Sequence, residues 1–393
     1  MIVSSSGNPY EGREQAEVKH AVLRRYLQRL AFKVGNFQPD TTLNYIDGFS
    51  GPWDAVQDDQ GDSSPAIAMA ELAKAQKGLA ELPSPKSMTV RAMFVERDPA
   101  AFQRLTNLCK SAQVDAVPHH GEFETYVADA VRFAAHGSHP FAFVFIDPTG
   151  WTGFGLQRIQ PLLQVRPSEV LINFMWGHIG RFIDDEGSSA ETSFDDLLGE
   201  DASKYRARWK GLEGLDREDA VVRTYCERVR AVGGFDHCVN TVIVNPVVDR
   251  THYHLVFATR NLVGLTTFRE IERKAMDLQQ GVRADAKRRK RQASGQMDLF
   301  GAAEMDSGYF HSLRLRYQGK ARAAVLEALP KVGWEVAYEA LVAVALGWPM
   351  TSEADLKKWL DEFEAAGLIK IEGLAPRERV PKVNENHRVL RVR

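Results

Sequence analysis

The stretch Phe141-Ala142-Phe143-Val144-Phe145-Ile146-Asp147-Pro148-Thr149-Gly150-Trp151 decides how the chain is read. Its apolar run is too short for a helix and does not alternate, so it predicts a strand buried on both faces. Proline cannot continue a central strand, so the chain turns out at Pro148. A carboxylate at the carboxyl end of a buried parallel strand stands where open α/β sheets bind ligands. Taken alone, the same residues also fit an ordinary Asp-Pro turn.

Upstream, two further apolar runs end on acids. Leu43 to Phe49 carries Asp47 and continues into Ser50-Gly51-Pro52-Trp53, and Val90 to Val95 ends at Glu96-Arg97-Asp98. A short strand, Glu124 to Val127, is predicted before Ala128-Asp129-Ala130. Between them lie helices. Glu14 to Val34 has apolar residues at helical spacing and stops at Gly35, with Lys19, His20, Arg24 and Arg25 read as its solvated face. Ser64 caps a second helix with Pro65 at its first position, and Pro99 opens a third. Downstream come a helix near Leu156 to Leu163, a strand from Val170 to Phe174 and a polar insertion at about 183–220. Val239 to Val244 and His252 to Ala258 then form an antiparallel hairpin. Strands alternating with helices predict βαβ units and a parallel sheet.

Composition sets the frame. Hydrophobic content of 44% and charged content of 26% suit a soluble globular protein of two or so domains. A net charge of −2 gives no global attraction to nucleic acid or membrane, so any such affinity must be local. Cys109, Cys226 and Cys238 lack metal-ligand spacing and suit a reducing compartment. The opening M-I-V-S-S-S-G-N-P-Y has no basic or apolar leader pattern, and no apolar run is long enough to span a bilayer. These features predict a cytoplasmic protein. The pairs His119/His120, His136/His139 and His252/His254 have no acids at ligand spacing, so no metal is expected.

Asp47, Glu96 and Asp147 thus end three strands, and Asp129 follows another. In a doubly wound sheet such positions line one crevice. The glycines of Asp47-Gly48-Phe49-Ser50-Gly51 let backbone approach a ligand. An acid ending the second strand can accept both ribose hydroxyls, and one after the third can meet an adenine amino group. A hydride-transfer enzyme would show G-x-G-x-x-G, and this turn has only Gly48 and Gly51.

At these residues the chain resembles the class I S-adenosylmethionine-dependent methyltransferases. The resemblance implies a Rossmann-like sheet, parallel except for an antiparallel C-terminal hairpin, and S-adenosylmethionine as cofactor. Asp47-Gly48-Phe49-Ser50-Gly51 looks like their first motif, although Trp53 stands where its last glycine is usual. Glu96, with Arg97 beside it, matches the ribose-binding acid, and Asp129, with Ala130, the adenine-side acid. Asp147-Pro148-Thr149-Gly150-Trp151 matches the fourth motif. In the amino-group methyltransferases the acid and the prolyl carbonyl accept from the target amine, and an aromatic residue stacks on the flipped base. Asp147, Pro148 and Trp151 are the corresponding catalytic candidates, with Thr149-Gly150 altering the spacing. More narrowly, Y-I-D-G-F-S-G-P-W, F-V-F-I-D-P-T-G-W and I-N-F resemble the three-Cys-motif partner protein family. That resemblance covers about residues 14–275 and implies a radical-SAM-like three-cysteine partner.

The remainder reads as a basic and polar linker, 281–308, and a winged-helix-like unit, 309–393, with helices at Lys320–Leu329, Glu335–Ala345 and Ser352–Ala366. Lys287, Arg288, Arg289, Lys290 and Arg291 form either a phosphate-binding stripe or a solvated run. The unit's third helix is acidic enough to repel a phosphate backbone, which favours protein docking or a structural cap over base readout. Gln296, Leu299 and Phe300 resemble the bacterial sliding-clamp-binding pentapeptide, with packing on the core as the alternative. The whole reads as a methyltransferase acting on nucleic acid or on the product of its three-cysteine partner. The rival is a non-catalytic S-adenosylmethionine- or nucleotide-binding adaptor.

Overall fold

The structure, a computed structural model, describes residue 10 and residues 12–51, 63–183, 189–293, 307–378 and 380–393. Among these, seven strands form one sheet: β1 (Thr41–Asp47), β2 (Met88–Glu96), β3 (Asp115–His120), β4 (Pro140–Ile146), β5 (Ser168–Phe174), β6 (His237–Val244) and β7 (Thr251–Thr259). Their order is β3-β2-β1-β4-β5-β7-β6, and β7 runs antiparallel to both its neighbours while the other pairs are parallel. This is the class I methyltransferase sheet. The order reverses between β1 and β4, which places a crevice at the carboxyl ends of those two strands.

The central strands are buried throughout, as their apolar runs require, and β4 shows how they divide the core. Phe143 and Phe145 face one hydrophobic layer and Ala142, Val144 and Ile146 the other. The first layer holds α1 (Glu14–Phe37), α2 (Ser64–Ala80) and α3 (Pro99–Lys110). Tyr26 of α1 stacks on Phe143 at 5.6 Å between ring centres. The second layer holds α4 (Val127–Ala134), α5 (Leu156–Leu163), α6 (Trp176–Phe182), α7 (Ser189–Leu198) and α9 (Gly214–Gly233), with the short α8 (Ser203–Arg206) between the last two.

Several expectations shift. The cap of α2 is Ser63, whose hydroxyl accepts from Ala66 N at 3.4 Å. Helix α1 continues past Gly35, where a Cβ would lie 2.4 Å from Leu79: the glycine lets α1 and α2 close up rather than ending α1. Glu124 to Val127 is not a strand. Phe123–Tyr126 is a 3-10 turn leading into α4, and the third strand lies upstream at Asp115–His120.

The basic run is not in a linker. Helix α10 (Leu262–Ala293) is a single helix that carries it. Beyond it, α11 (Ser307–Ala328), β8 (Glu335–Ala337), α12 (Tyr338–Leu346), α13 (Glu353–Ala365), β9 (Ile369–Glu372) and β10 (Arg388–Arg391) form a C-terminal unit with a three-stranded antiparallel sheet, β8-β10-β9. The helix expected from Glu335 starts at Tyr338, after a short strand. The unit continues the core of the sheet domain: Ala321, Val325, Tyr338 and Leu341 belong to the same hydrophobic cluster as Leu265, Phe268 and Ile271 of α10. Among the described residues, no helix is long and apolar enough to cross a membrane.

Candidate functional site

The turn after β1 is built around the carboxylate of Asp47, which is fully buried. Phe49 N donates to its Oδ1 at 3.0 Å, and the hydroxyls of Ser64 and Tyr45 donate to Oδ2 at 3.2 and 3.3 Å. Burial pushes the carboxyl up to about 7 despite these donors. Ser50 fastens the turn to β2, donating N–H to Val95 O at 2.9 Å and accepting from Val95 N at 3.2 Å on its hydroxyl. At Gly48 a Cβ would stand 2.8 Å from the Phe123 ring. Glycine is therefore needed there, and Phe123 packs directly under the turn.

Glu96 ends β2, 2% exposed, with Asp98 N donating to its Oε1 at 2.6 Å. Burial raises its carboxyl above the ordinary range. Asp98 in turn caps α3, accepting from Ala101 N at 2.7 Å. Past β3, Gly121 N donates to Glu96 O at 3.0 Å, which brings Glu122 to the rim, where Arg97 pairs with it at 3.6 Å. Gly48, Phe49, Glu96, Arg97, Glu122 and Asp147 line one cleft of about 180 Å³.

Asp147 follows β4 and divides this cleft from a second lobe. Its Oδ1 accepts from Asn173 Nδ2 at 2.7 Å, and its Oδ2 forms an ion pair with Lys19 of α1. Pro148, Thr149 and Phe49 also line both spaces. The second lobe is further lined by Lys19, His20, Ser64, Asn173 and His252. Burial, with Lys19, Arg13 and Arg24 adding to it, holds His20 well below the usual histidine range, so its ring is neutral at pH 7. Asn173 is 3% exposed, and among the described residues its Oδ1 has no partner.

The fold thus brings together Gly48, Phe49, Glu96, Arg97, Asp147 and Pro148 along one cleft, with Asp47 and Ser50 beneath it and Gly51 on the second lobe. Other candidates lie elsewhere. Asp129 pairs with Arg132 on α4 and Ala130 is buried behind it, so the acid at the third strand's end is Glu122. Trp151 stacks on Phe182 at 6.0 Å and packs on Phe194 at 6.2 Å, turned to a hydrophobic cluster rather than over Asp147. Of the basic run, Lys287 pairs with Asp249 at 2.9 Å, Arg288 with Asp285 at 2.8 Å and Arg289 with Glu14 at 2.5 Å, while Lys290 and Arg291 lie in the last turn of α10. Trp53, Gln296, Leu299 and Phe300 lie outside the described residues.

Lys19 and His20, read from sequence as a solvated face, and Glu122 and Asn173, not singled out as site residues, line these spaces too. Asn173 left a signal, a lone amide inside the apolar run Val170 to Phe174, and Glu122 a weaker one, the glycine before it. Lys19 left none. Among the described residues, Glu378, Glu385 and His387 cluster near the C terminus. Both ring nitrogens of His387 are engaged, Nδ1 accepting from Lys382 N at 2.8 Å and Nε2 lying 3.1 Å from Glu378, so this reads as a structural histidine.

No family model matches the chain, and no curated protein does. Solved structures do. A protein from Legionella pneumophila str. Philadelphia 1 is 10% identical, with a TM-score of 0.35, over 63% of this chain and 86% of its own. A loganic acid methyltransferase solved with SAH is 11% identical, with a TM-score of 0.31, over 75% and 92%. PKMT2 from Rickettsia typhi is 8% identical, with a TM-score of 0.26, over 63% and 56%. The strand order, not these likenesses, identifies the fold.

Proposed function

We propose that the cleft binds S-adenosylmethionine and that the chain transfers its methyl group to a substrate held in the second lobe. The observation that carries this is Glu96: a buried carboxylate ending the strand beside the glycine turn, at the switch point, with its side chain lining the cleft. The residues present fit such a cofactor. Glu96 would accept from the ribose hydroxyls, the Gly48-Phe49 backbone would lie along the ligand, and Glu122 would stand at the adenine side. When bound, the cofactor supplies a methyl group already activated by the sulfonium, so the protein's contribution is to position the acceptor and exclude water. Phe49, Pro148 and Thr149, shared by both lobes, form the wall across which the two groups meet.

Mass spectrometry of the protein as purified tests the ligand, with S-adenosylmethionine or its demethylated product expected. Glu96→Ala removes the charged acceptor of two hydroxyls, a cost on the order of 1.5–3 kcal/mol, or about ten- to a hundredfold in affinity. A Glu96→Ala protein that binds the cofactor like the parent in calorimetry overturns the assignment of the cleft.

One observation favours the adaptor reading. Both oxygens of Asp147 are engaged by the chain's own Lys19 and Asn173, and Trp151 is turned away, so the base clamp of the amino-group methyltransferases is not assembled. A protein that holds the cofactor but methylates no RNA, DNA, protein or small-molecule fraction would support it. In the C-terminal unit, the order helix, strand, helix, helix, strand, strand supports reading it as a winged helix. We read it as docking protein, because α13 carries Glu353, Asp355, Asp361, Glu362 and Glu364. The three-cysteine partner and a sliding clamp remain the partners proposed from sequence, and nucleic acid the substrate.

A further inference from the structure

We infer that the side-chain oxygen of Asn173 is the acceptor that holds the donor group of the substrate, an N–H or O–H, with the Lys19–Asp147 pair aiming it; this rests on reading the second lobe as the substrate site. Burying an amide costs free energy unless both its ends are hydrogen-bonded. Asn173, at 3% exposure between Ile172 and Phe174, is satisfied at one end only: Nδ2 donates to Asp147 Oδ1 at 2.7 Å and Oδ1 has no partner. The amide cannot turn over to relieve this, because its carbonyl would then face a carboxylate. Asp147 cannot swing away either, since Lys19 pairs with its other oxygen. Among the described residues the chain therefore maintains an unpartnered acceptor on a residue lining a lobe that adjoins the cleft across Asp147; the oxygen itself is covered, so a substrate reaches it by displacing the atoms over it.

The ligand that completes it must bring a hydrogen-bond donor. Amines, amides and hydroxyls qualify, and an ionised carboxylate, which has none, is rejected; a site built around a buried polar group discriminates strongly against partners that leave it unpaired. Asn173 thus takes the place that the strand-end acid holds in an amino-group methyltransferase, and Asp147 becomes its positioning residue. In the transfer, the bond from the acceptor atom to the methyl carbon forms as the carbon–sulfur bond breaks with its electron pair going to sulfur. The proton would leave for solvent as the methylated product departs, because an amide oxygen orients a proton but does not keep it.

The test measures two quantities on the full chain: affinity for S-adenosylhomocysteine by calorimetry, and tritiated methyl incorporation from S-adenosylmethionine into RNA, DNA, protein and small-molecule fractions of cell extract. Asn173→Leu is expected to bind S-adenosylhomocysteine within threefold of the parent and to lose at least tenfold in incorporation. Asn173→Asp keeps an acceptor but sets two carboxylates side by side, which then share a proton. Its incorporation is expected to recover at low pH and fall as pH rises, a dependence that a merely structural role would not create. Should Asn173→Leu fail to fold, Asn173→Asp alone decides. Incorporation by Asn173→Leu equal to the parent's overturns the inference and leaves the proposed function standing, as does a pH profile of Asn173→Asp parallel to the parent's. A parent that binds S-adenosylhomocysteine but labels no fraction overturns methyl transfer and this inference with it. A parent that does not bind it overturns the reading of the cleft.

Discussion

Asp47 and Glu96 end neighbouring strands and are both buried, yet they serve the site differently. Glu96 borders the cleft, whereas Asp47 sits beneath it and spends its oxygens on the turn. That difference predicts a pH effect. The folded carboxyl of Asp47 is raised to about 7, far above its unfolded value, so the native state holds a proton that the unfolded chain releases. By linkage, stability contributed by this proton is present at low pH and is lost as pH rises from the unfolded value towards 7, a change of about 4 kcal/mol over that whole range. Asp47→Asn, which keeps an acceptor for Phe49 N, should flatten the dependence. Melting temperatures between pH 5 and 8 test this: the parent should lose more than the variant across that window. Equal slopes would mean that the donors around Asp47 keep it ionised throughout. At this scale the sequence was informative wherever an acid interrupted an apolar run, as at Asp47, Glu96 and Asp147. It was uninformative at Lys19, because a lysine on an amphipathic helix looks solvated until the docking of that helix is known.

At the scale of elements, the central strands were legible because burial on both faces demands continuous apolar runs. The third strand was not. It is an edge strand, D-A-V-P-H-H, only part-buried along its length, so no apolar pattern marks it. The nearby F-E-T-Y-V has strand-like composition but forms the turn into α4. Asp129 was assigned through that error. The basic run on α10 leads to a prediction of its own. Arg289 reaches Glu14, a carboxylate only 8% exposed at the start of α1, so it ties the ends of two helices that flank the sheet. Arg289→Met leaves that buried carboxylate without its cation, at a cost of about 1–3 kcal/mol. A lower denaturation midpoint with unchanged slope would bear this out. Unchanged stability, together with a flatter salt dependence of nucleic-acid binding, would return the run to phosphate contact. Helix α13 behaves differently: Lys357 is already paired with Glu353 at 2.9 Å. Neutralising Lys357 and Lys358 should therefore leave any nucleic-acid affinity within a few-fold. A tenfold loss in a filter-binding titration would contradict the protein-docking reading.

The whole molecule is more continuous than its sequence suggests. A polar region following a hairpin looks like a boundary, but α10 carries on into it as far as Ala293, and its Arg269 donates to Leu346 O of the C-terminal unit at 2.8 Å. A second tie joins α11 to α9. Asp219, 7% exposed, accepts from Tyr317 at 3.0 Å and from Lys320 at 2.9 Å, and Arg316 pairs with it at 2.7 Å. Breaking a buried ion network by removing its cations leaves a carboxylate uncompensated, typically at 3–5 kcal/mol. Arg316→Met with Lys320→Met should therefore loosen the C-terminal unit from the sheet domain. The cleft, lined by the turns after β1 to β4, should be spared, because α11 docks on α9 instead. Calorimetric unfolding of the parent is expected to show one transition, as a shared hydrophobic cluster implies. The double variant should show an earlier, separate transition, while its affinity for S-adenosylhomocysteine stays within threefold of the parent's. If the two transitions already separate in the parent, the C-terminal unit is an independent domain after all. If that affinity falls with the docking, the two units communicate through α9, and the C-terminal unit controls the site rather than merely accompanying it.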